Sequence, residues 1–276
     1  MGWLRDLPDF RDLHSKSPAI AAVLKQSKPL KAAAAKAPSA IDLRKWCPPV
    51  EDQGDLGSCT ANAGVALMEY FERRTTGKHL DASRLFLYKT SRDLLGWTGD
   101  DGAFLRTTMK AMVLFGIPPE QYWKYTVASF NDEPPAFCYA FAQNYKAMSY
   151  YRLDPPGTAP AQVLANIKKS LAAGLPAMFG FSVYSSFPAV GDGRVDIPFP
   201  GPNETTDGGH AVVAVGYDDG RKIGAEKGAL LIRNSWGNEW GDKGYGWMPY
   251  AYVLRGLADD FWSLVKASFV DMEFFK

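Results

Sequence analysis

The segment Gln53-Gly54-Asp55-Leu56-Gly57-Ser58-Cys59-Thr60-Ala61 places a thiol where a helix is expected to begin. The positive end of a helix dipole lowers a thiol pKa and favours the nucleophilic thiolate. Gln53 lies six residues upstream across two glycines. Its side-chain amide could turn back toward the pocket that receives the Cys59 backbone N–H, and two such donors make an oxyanion hole. A buried structural cysteine at a helix start would read the same way from this segment alone. A second candidate is His210, which opens the apolar run Ala211 to Tyr217 after Gly208-Gly209. An imidazole there can act as a base near neutral pH, or it can be a satisfied structural histidine. The third is Asn234, where the strand-like Leu231-Ile232-Arg233 runs into Asn234-Ser235-Trp236-Gly237. An asparagine carbonyl can accept from an imidazole N–H and fix its tautomer, and Trp236 packed over that bond would exclude water. A glycine- and asparagine-rich turn with two core tryptophans, Trp236 and Trp240, is the plainer alternative.

These residues need elements to hold them. Ala63, Ala66, Leu67, Tyr70 and Phe71 form one apolar face, predicting a helix from Ser58 to Arg74 that ends before Gly77. Further helices are predicted over 82–95, with Asp81 as cap, over 104–115, and over 161–173 before Gly174. Residues 117–157 carry six prolines and predict mostly irregular structure. Strands are predicted over 177–183, 211–217, 229–233, 244–249 and 261–265. Helices first and strands later, without βαβ alternation, argue for an α+β fold with an antiparallel sheet.

Taken together, glutamine and cysteine at a helix start, Gly-His before a Val-Gly-Tyr strand, and Asn-Ser-Trp-Gly-x-x-Trp-Gly-x-x-Gly-Tyr resemble the papain family of cysteine peptidases, over roughly residues 41–265. The order Cys59, His210, Asn234 and the spacing of 151 and then 24 residues suit that family. The opening Gly-Trp-Leu-Arg-Asp-Leu-Pro-Asp and the string Val50 to Gln53 resemble its bacterial branch. The resemblance implies a papain-like fold, with a helical left subdomain, an antiparallel right subdomain and a cleft between them. It implies a peptidase with Cys59, His210, Asn234 and Gln53 as catalytic residues and no cofactor or metal. It also implies substrate binding by Gly102, Ala103 and Trp236, and a pocket for the second residue before the cut lined by Leu105, Gly180 and Gly209. Leu56 and Thr60 replace the family's usual Cys and Trp around the nucleophile, and Gly102-Ala103 replaces its usual glycine pair. A non-proteolytic cysteine hydrolase or acyltransferase, or a silent binding module, stays open beside this reading.

The chain has 276 residues and a net charge of +1, giving no strong field toward nucleic acid or a membrane surface. Three cysteines cannot all pair, so a disulfide framework is not expected. There is no His-x-x-x-His or Cys-x-x-Cys spacing. The N-terminus lacks the apolar run of a signal peptide, predicting a cytoplasmic protein or one exported by a non-classical route. Residues 1–40 read as an extension that ends in a low-complexity linker, 27–39, ahead of a peptidase domain over 41–276. Family members are often made with an N-terminal segment that lies in the cleft. Here Leu7, Pro8 and Phe10 are the expected anchors of an autoinhibitory segment, as in a zymogen; a tail without that role is the alternative. Peptide or protein substrates and a monomer are expected, with no nucleic-acid or membrane partner.

Overall fold

The computed structural model describes residues 2–26, 38–147 and 149–265. Most of the proposed linker, 27–37, lies outside them. The described residues form nine strands in two sheets and seven α-helices. Strand β1 is Trp3–Leu4, helix α1 is Pro18–Gln26 and β2 is Ala40–Asp42. Helix α2 runs Cys59–Thr76, α3 Arg84–Asp93, β3 Ala103–Phe104 and α4 Leu105–Leu114. Then follow α5 (Ala136–Ala142), β4 (Ser149–Arg152) and α6 (Pro160–Ala172). The remainder is β5 (Ala177–Tyr184), β6 (Thr206–Ile223), β7 (Glu226–Arg233), β8 (Tyr245–Pro249), α7 (Ala251–Leu254) and β9 (Ala258–Val265).

The sheet has seven strands in the order β4-β9-β5-β6-β7-β8, with β2 added along β6, and every pair in it is antiparallel. Helix α2 packs between this sheet and helices α3 and α4. That is the α+β arrangement expected from the order of periodicities. Thirteen of the eighteen α2 residues are buried, because the sheet covers one side and the other helices cover another. The helix stops at Gly77, whose φ of 72° is the left-handed conformation that ends helices and that glycine adopts without a Cβ clash.

Several expectations need correction. Ser83, not Asp81, caps α3: its hydroxyl accepts from Phe86 N at 3.2 Å. The charged residues 218–228 are the paired ends of β6 and β7, with Lys222 opposite Lys227. His210 therefore sits inside β6, opposite Phe181 of β5, rather than at a strand's start. The N-terminal extension contains a strand, Trp3–Leu4, and a helix, Pro18–Gln26.

Glu69 on α2 is buried and accepts from Ala82 N at 2.8 Å. Burial pushes its carboxyl up to about 8 from 4.5. The folded chain thus keeps a proton that the unfolded chain releases. Its contribution to stability is complete below pH 4.5 and is lost as pH rises through about 8. Stability should fall between pH 5 and 8 with a slope of at most about 1.4 kcal/mol per pH unit from this group. Urea midpoints of wild type and Glu69→Gln, whose amide stands in for the protonated acid, should lie close together at pH 5 and diverge by pH 8 with the variant the more stable; a constant difference would remove Glu69 as the cause.

Candidate active site

Cys59 is the first residue of α2 and is wholly buried. Burial pushes its thiol up, while backbone groups of Gly2 and Ala211 beside it pull the other way. His210 is also wholly buried. Its Nε2 lies 2.7 Å from Asn234 Oδ1, and Ser235 N donates to the same oxygen at 2.8 Å. Two contacts on one oxygen orient the amide, so Nε2 is the nitrogen that carries the hydrogen. Nδ1 has no protein partner and is the nitrogen left for chemistry. Burial pulls the imidazole down to about 4, partly offset by Asn234. Burial thus disfavours the charged form of both groups in this closed arrangement.

Trp236 lies against the imidazole with ring centroids 5.0 Å apart, and is braced by Phe187 at 5.4 Å and Trp240 at 6.2 Å.

Gln53 is buried and fixed at both ends of its amide. Ser235 Oγ donates to Oε1 at 2.6 Å, and Nε2 donates to Leu56 O at 2.8 Å. Gln53 N also donates to Ser235 O at 2.9 Å, so the loop before α2 is stitched to the loop after β7. A residue that sequence reasoning passed over completes this corner. Tyr125 donates its hydroxyl to Gln53 O at 2.8 Å, and that hydroxyl's own oxygen lies 2.5 Å from Ser58 Oγ. One hydroxyl thus joins Gln53 to the residue before Cys59. Arg84 stacks its guanidinium 4.2 Å above the Tyr125 ring. Only the aromatic clustering near 125 hinted at this role.

The substrate-binding candidates converge on the N-terminal residues. Ala103 N donates to Gly2 O at 2.8 Å, and β1 pairs in parallel with β3, Trp3 opposite Ala103. A Cβ on Gly102 (φ +80°) would lie 1.9 Å from Gly2 O, so the backbones approach too closely for a side chain there. A Cβ on Gly180 would lie 1.9 Å from Trp3 Cε2, and one on Gly209 would lie 2.8 Å from Trp3 Cε3. Leu105 is fully buried at the start of α4. The expected anchors do not do this: Leu7 is 75% and Phe10 98% exposed. Trp3, not those residues, fills the space above the two glycines. Nothing in the local pattern favours Trp3, because apolar residues recur throughout 3–13.

Among the described residues no group of three or more His, Cys, Asp or Glu is placed to hold a metal ion. The three cysteines are buried and unpaired. No described helix is long and apolar enough to cross a membrane.

Residues 37–258 match the family described as papain family cysteine protease. The chain belongs to that family, whose members hydrolyse peptide bonds with a cysteine nucleophile, and its fold is the papain-like one. Among solved structures it is similar to xylellain, a cysteine protease from Xylella fastidiosa, at 36% identity and a TM-score of 0.78, covering 96% of each chain. It is 37% identical over 216 residues to an uncharacterized peptidase C1-like protein of Acanthamoeba polyphaga mimivirus, covering 76% of this chain and 68% of that one. It is also 30% identical over 216 residues to cathepsin K of Gallus gallus, covering 76% of this chain but 58% of that protein's length.

Proposed function

We propose that the chain is a cysteine peptidase in which Cys59 attacks the scissile carbonyl and residues 2–12 hold the enzyme in a latent state. The observation that carries the first half is the His210–Asn234 contact, which leaves Nδ1 of a buried imidazole without a partner. When the cleft opens and water enters, the desolvation that disfavours a charged thiol and imidazole is relieved, and a thiolate–imidazolium pair becomes accessible. The thiolate forms a tetrahedral adduct. The Cys59 backbone N–H and the Gln53 N–H not used by Leu56 stabilise its oxyanion. His210 then protonates the leaving amine and activates water to clear the thioester. The second half rests on Gly2 and Trp3. They take a ladder position on Ala103 and the space above Gly180 and Gly209, where the resemblance puts substrate.

The test is hydrolysis of fluorogenic dipeptides under reducing conditions by the full chain, a chain starting at Ala40, and Cys59→Ala in the shorter form. The short form should be active, the full chain weaker and the variant inactive. Equal rates in the two wild-type forms would discard latency while keeping the peptidase. Turnover by the Cys59→Ala variant would overturn the nucleophile.

A further inference from the structure

The space that holds Trp3 is not simply apolar. Gly180 on β5 and Gly209 on β6 supply flat walls against the indole. Its far end meets Asp260 of β9: Trp3 Nε1 donates to Asp260 Oδ2 at 3.2 Å. Asp260 is 1% exposed and has a φ of 59°, a conformation that few non-glycine residues adopt and that Asp and Asn tolerate best. Its two oxygens face different ways. Oδ1 accepts from Arg152 Nη2 at 2.8 Å, so that side is committed to the protein. Oδ2 accepts from Trp3 Nε1 and from Asp6 N, the latter at 2.8 Å. Both of those donors belong to the N-terminal segment. When that segment leaves, Oδ2 keeps no donor from it and becomes a bare acceptor at the end of a flat-walled pocket.

We propose that Asp260 is the specificity-determining residue of this pocket, selecting a flat or extended substrate side chain tipped by a hydrogen-bond donor: tryptophan first, then arginine or lysine. The inference rests on the reading that the pocket receives substrate, and it names the side chains that the pocket takes. An aliphatic or phenylalanine side chain fills the same volume but leaves a buried carboxylate oxygen unpaired. Sites built to hydrogen-bond a ligand discriminate strongly against analogues that lack the donor. Trp3 is the chain's own example of the preferred group. The remaining charged groups around Asp260, namely Asp6, Asp154, Asp259 and Arg152, either leave with the segment or sit on the committed side, except Asp259, which pairs with Arg5. Loss of Arg5 with the segment adds negative charge near the pocket and favours a basic side chain further.

The first experiment uses the full chain carrying Trp3→Ala, which leaves an indole-shaped space next to Asp260. Indole and indene are titrated into it by calorimetry, since the two share shape but only indole carries an N–H. Indole should bind roughly tenfold to a hundredfold more tightly, the range of a hydrogen bond to a charged acceptor. Adding Asp260→Asn should abolish the difference. Arg152 would hold the amide oxygen on its own side and turn the NH2 toward the pocket, where it offers a donor instead of an acceptor. Equal affinities for indole and indene overturn the proposal, as does binding of neither by a folded variant. The second experiment screens a dipeptide library on the same Trp3→Ala chain, varying the residue second before the cut. Tryptophan, arginine and lysine should exceed phenylalanine and leucine in kcat/KM, and Asp260→Asn should reverse that order. A leucine or phenylalanine preference in the parent overturns the proposal. If no peptide at all is cleaved, the contacts of Gly2, Asp6 and Asp12 still hold the segment in place and the peptidase reading is judged on the chain from Ala40, while the indole comparison still decides what Asp260 recognises.

Discussion

Replacing Gln53 by alanine in the active form should lower kcat by roughly a hundredfold to a thousandfold with little change in KM, corresponding to about 2.7–4 kcal/mol of transition-state stabilisation. The split follows from when the interaction forms. A planar ground-state carbonyl does not place its oxygen where the Gln53 amide points; the tetrahedral oxyanion does. The structure makes this amide unusually well held. Ser235 Oγ and Leu56 O fix its two ends, and Tyr125 ties its backbone to Ser58. Tyr125→Phe should reproduce a fraction of the loss, about tenfold in kcat, by letting the loop drift away from α2. Peptide aldehydes, which form a tetrahedral adduct, should bind both variants more weakly. Alkylation of Cys59 by iodoacetamide, which forms no oxyanion, should be unchanged. A loss in alkylation equal to the loss in kcat would show instead that the thiol itself had been disturbed.

Raising the pH from 4 to 7 should loosen the N-terminal segment, the opposite of release by acid. Asp6 is buried between elements of both halves of the chain. Trp262 Nε1 donates to Oδ2 at 2.9 Å and Arg106 N donates at 3.1 Å. Asp260 and Asp259 face it from β9, Arg152 from β4, Asp154 from the following loop, Arg106 from α4 and Asp12 from its own segment. Four carboxylates, Asp6, Asp12, Asp154 and Asp260, share two guanidinium groups, Arg106 and Arg152. The excess of acid is relieved by holding a proton or by letting the segment go, which takes Asp6 and Asp12 away and leaves two of each sign. Burial, and then Asp260, push the Asp6 carboxyl up from 3.8 to about 7. Docking therefore takes up a proton. Its contribution is complete below pH 3.8 and is lost as pH rises through about 7. The rate of Cys59 alkylation in the full chain, divided by that in the chain from Ala40, should climb roughly a hundredfold over this window, below the limit of tenfold per unit. Taking the ratio cancels the thiol's own titration. Asp6→Asn should flatten the ratio. A ratio that falls with rising pH would refute the latch.

Much of this was legible in the sequence, for a physical reason. Periodicity located α2, α4, α6 and the cores of β5 and β7, because each buries a continuous face or a whole apolar run. The glycines after α2 and α6 marked their ends. Cys59, His210, Asn234 and Gln53 stood out because they lie beside such strong signals. Contacts among residues far apart in sequence were not legible. Tyr125 reaches Gln53 across 72 residues, and Trp3 reaches Asp260 across 257. Neither spacing leaves a local pattern. The anchors were misplaced for the same reason: Leu7 and Phe10 look as apolar as Trp3, and only the glycine walls of β5 and β6 distinguish them. The cap of α3 was misread because Asp81 and Ser83 are equally good candidates by type, and only the backbone at Ser83 lets its hydroxyl reach Phe86 N.

The short strand Trp3–Leu4 belongs to the same polypeptide as the cleft that it meets, and so acts at an effective concentration set by its tether rather than by how much protein is present. Intramolecular partners of this kind act at effective concentrations up to about the millimolar range. A single cut between the segment and residue 40 would not itself expel the strand; it would change an intramolecular equilibrium into a bimolecular one. A nicked preparation would then stay latent when stored concentrated and come to life on dilution. The severed piece would slow the enzyme in proportion to its own free concentration.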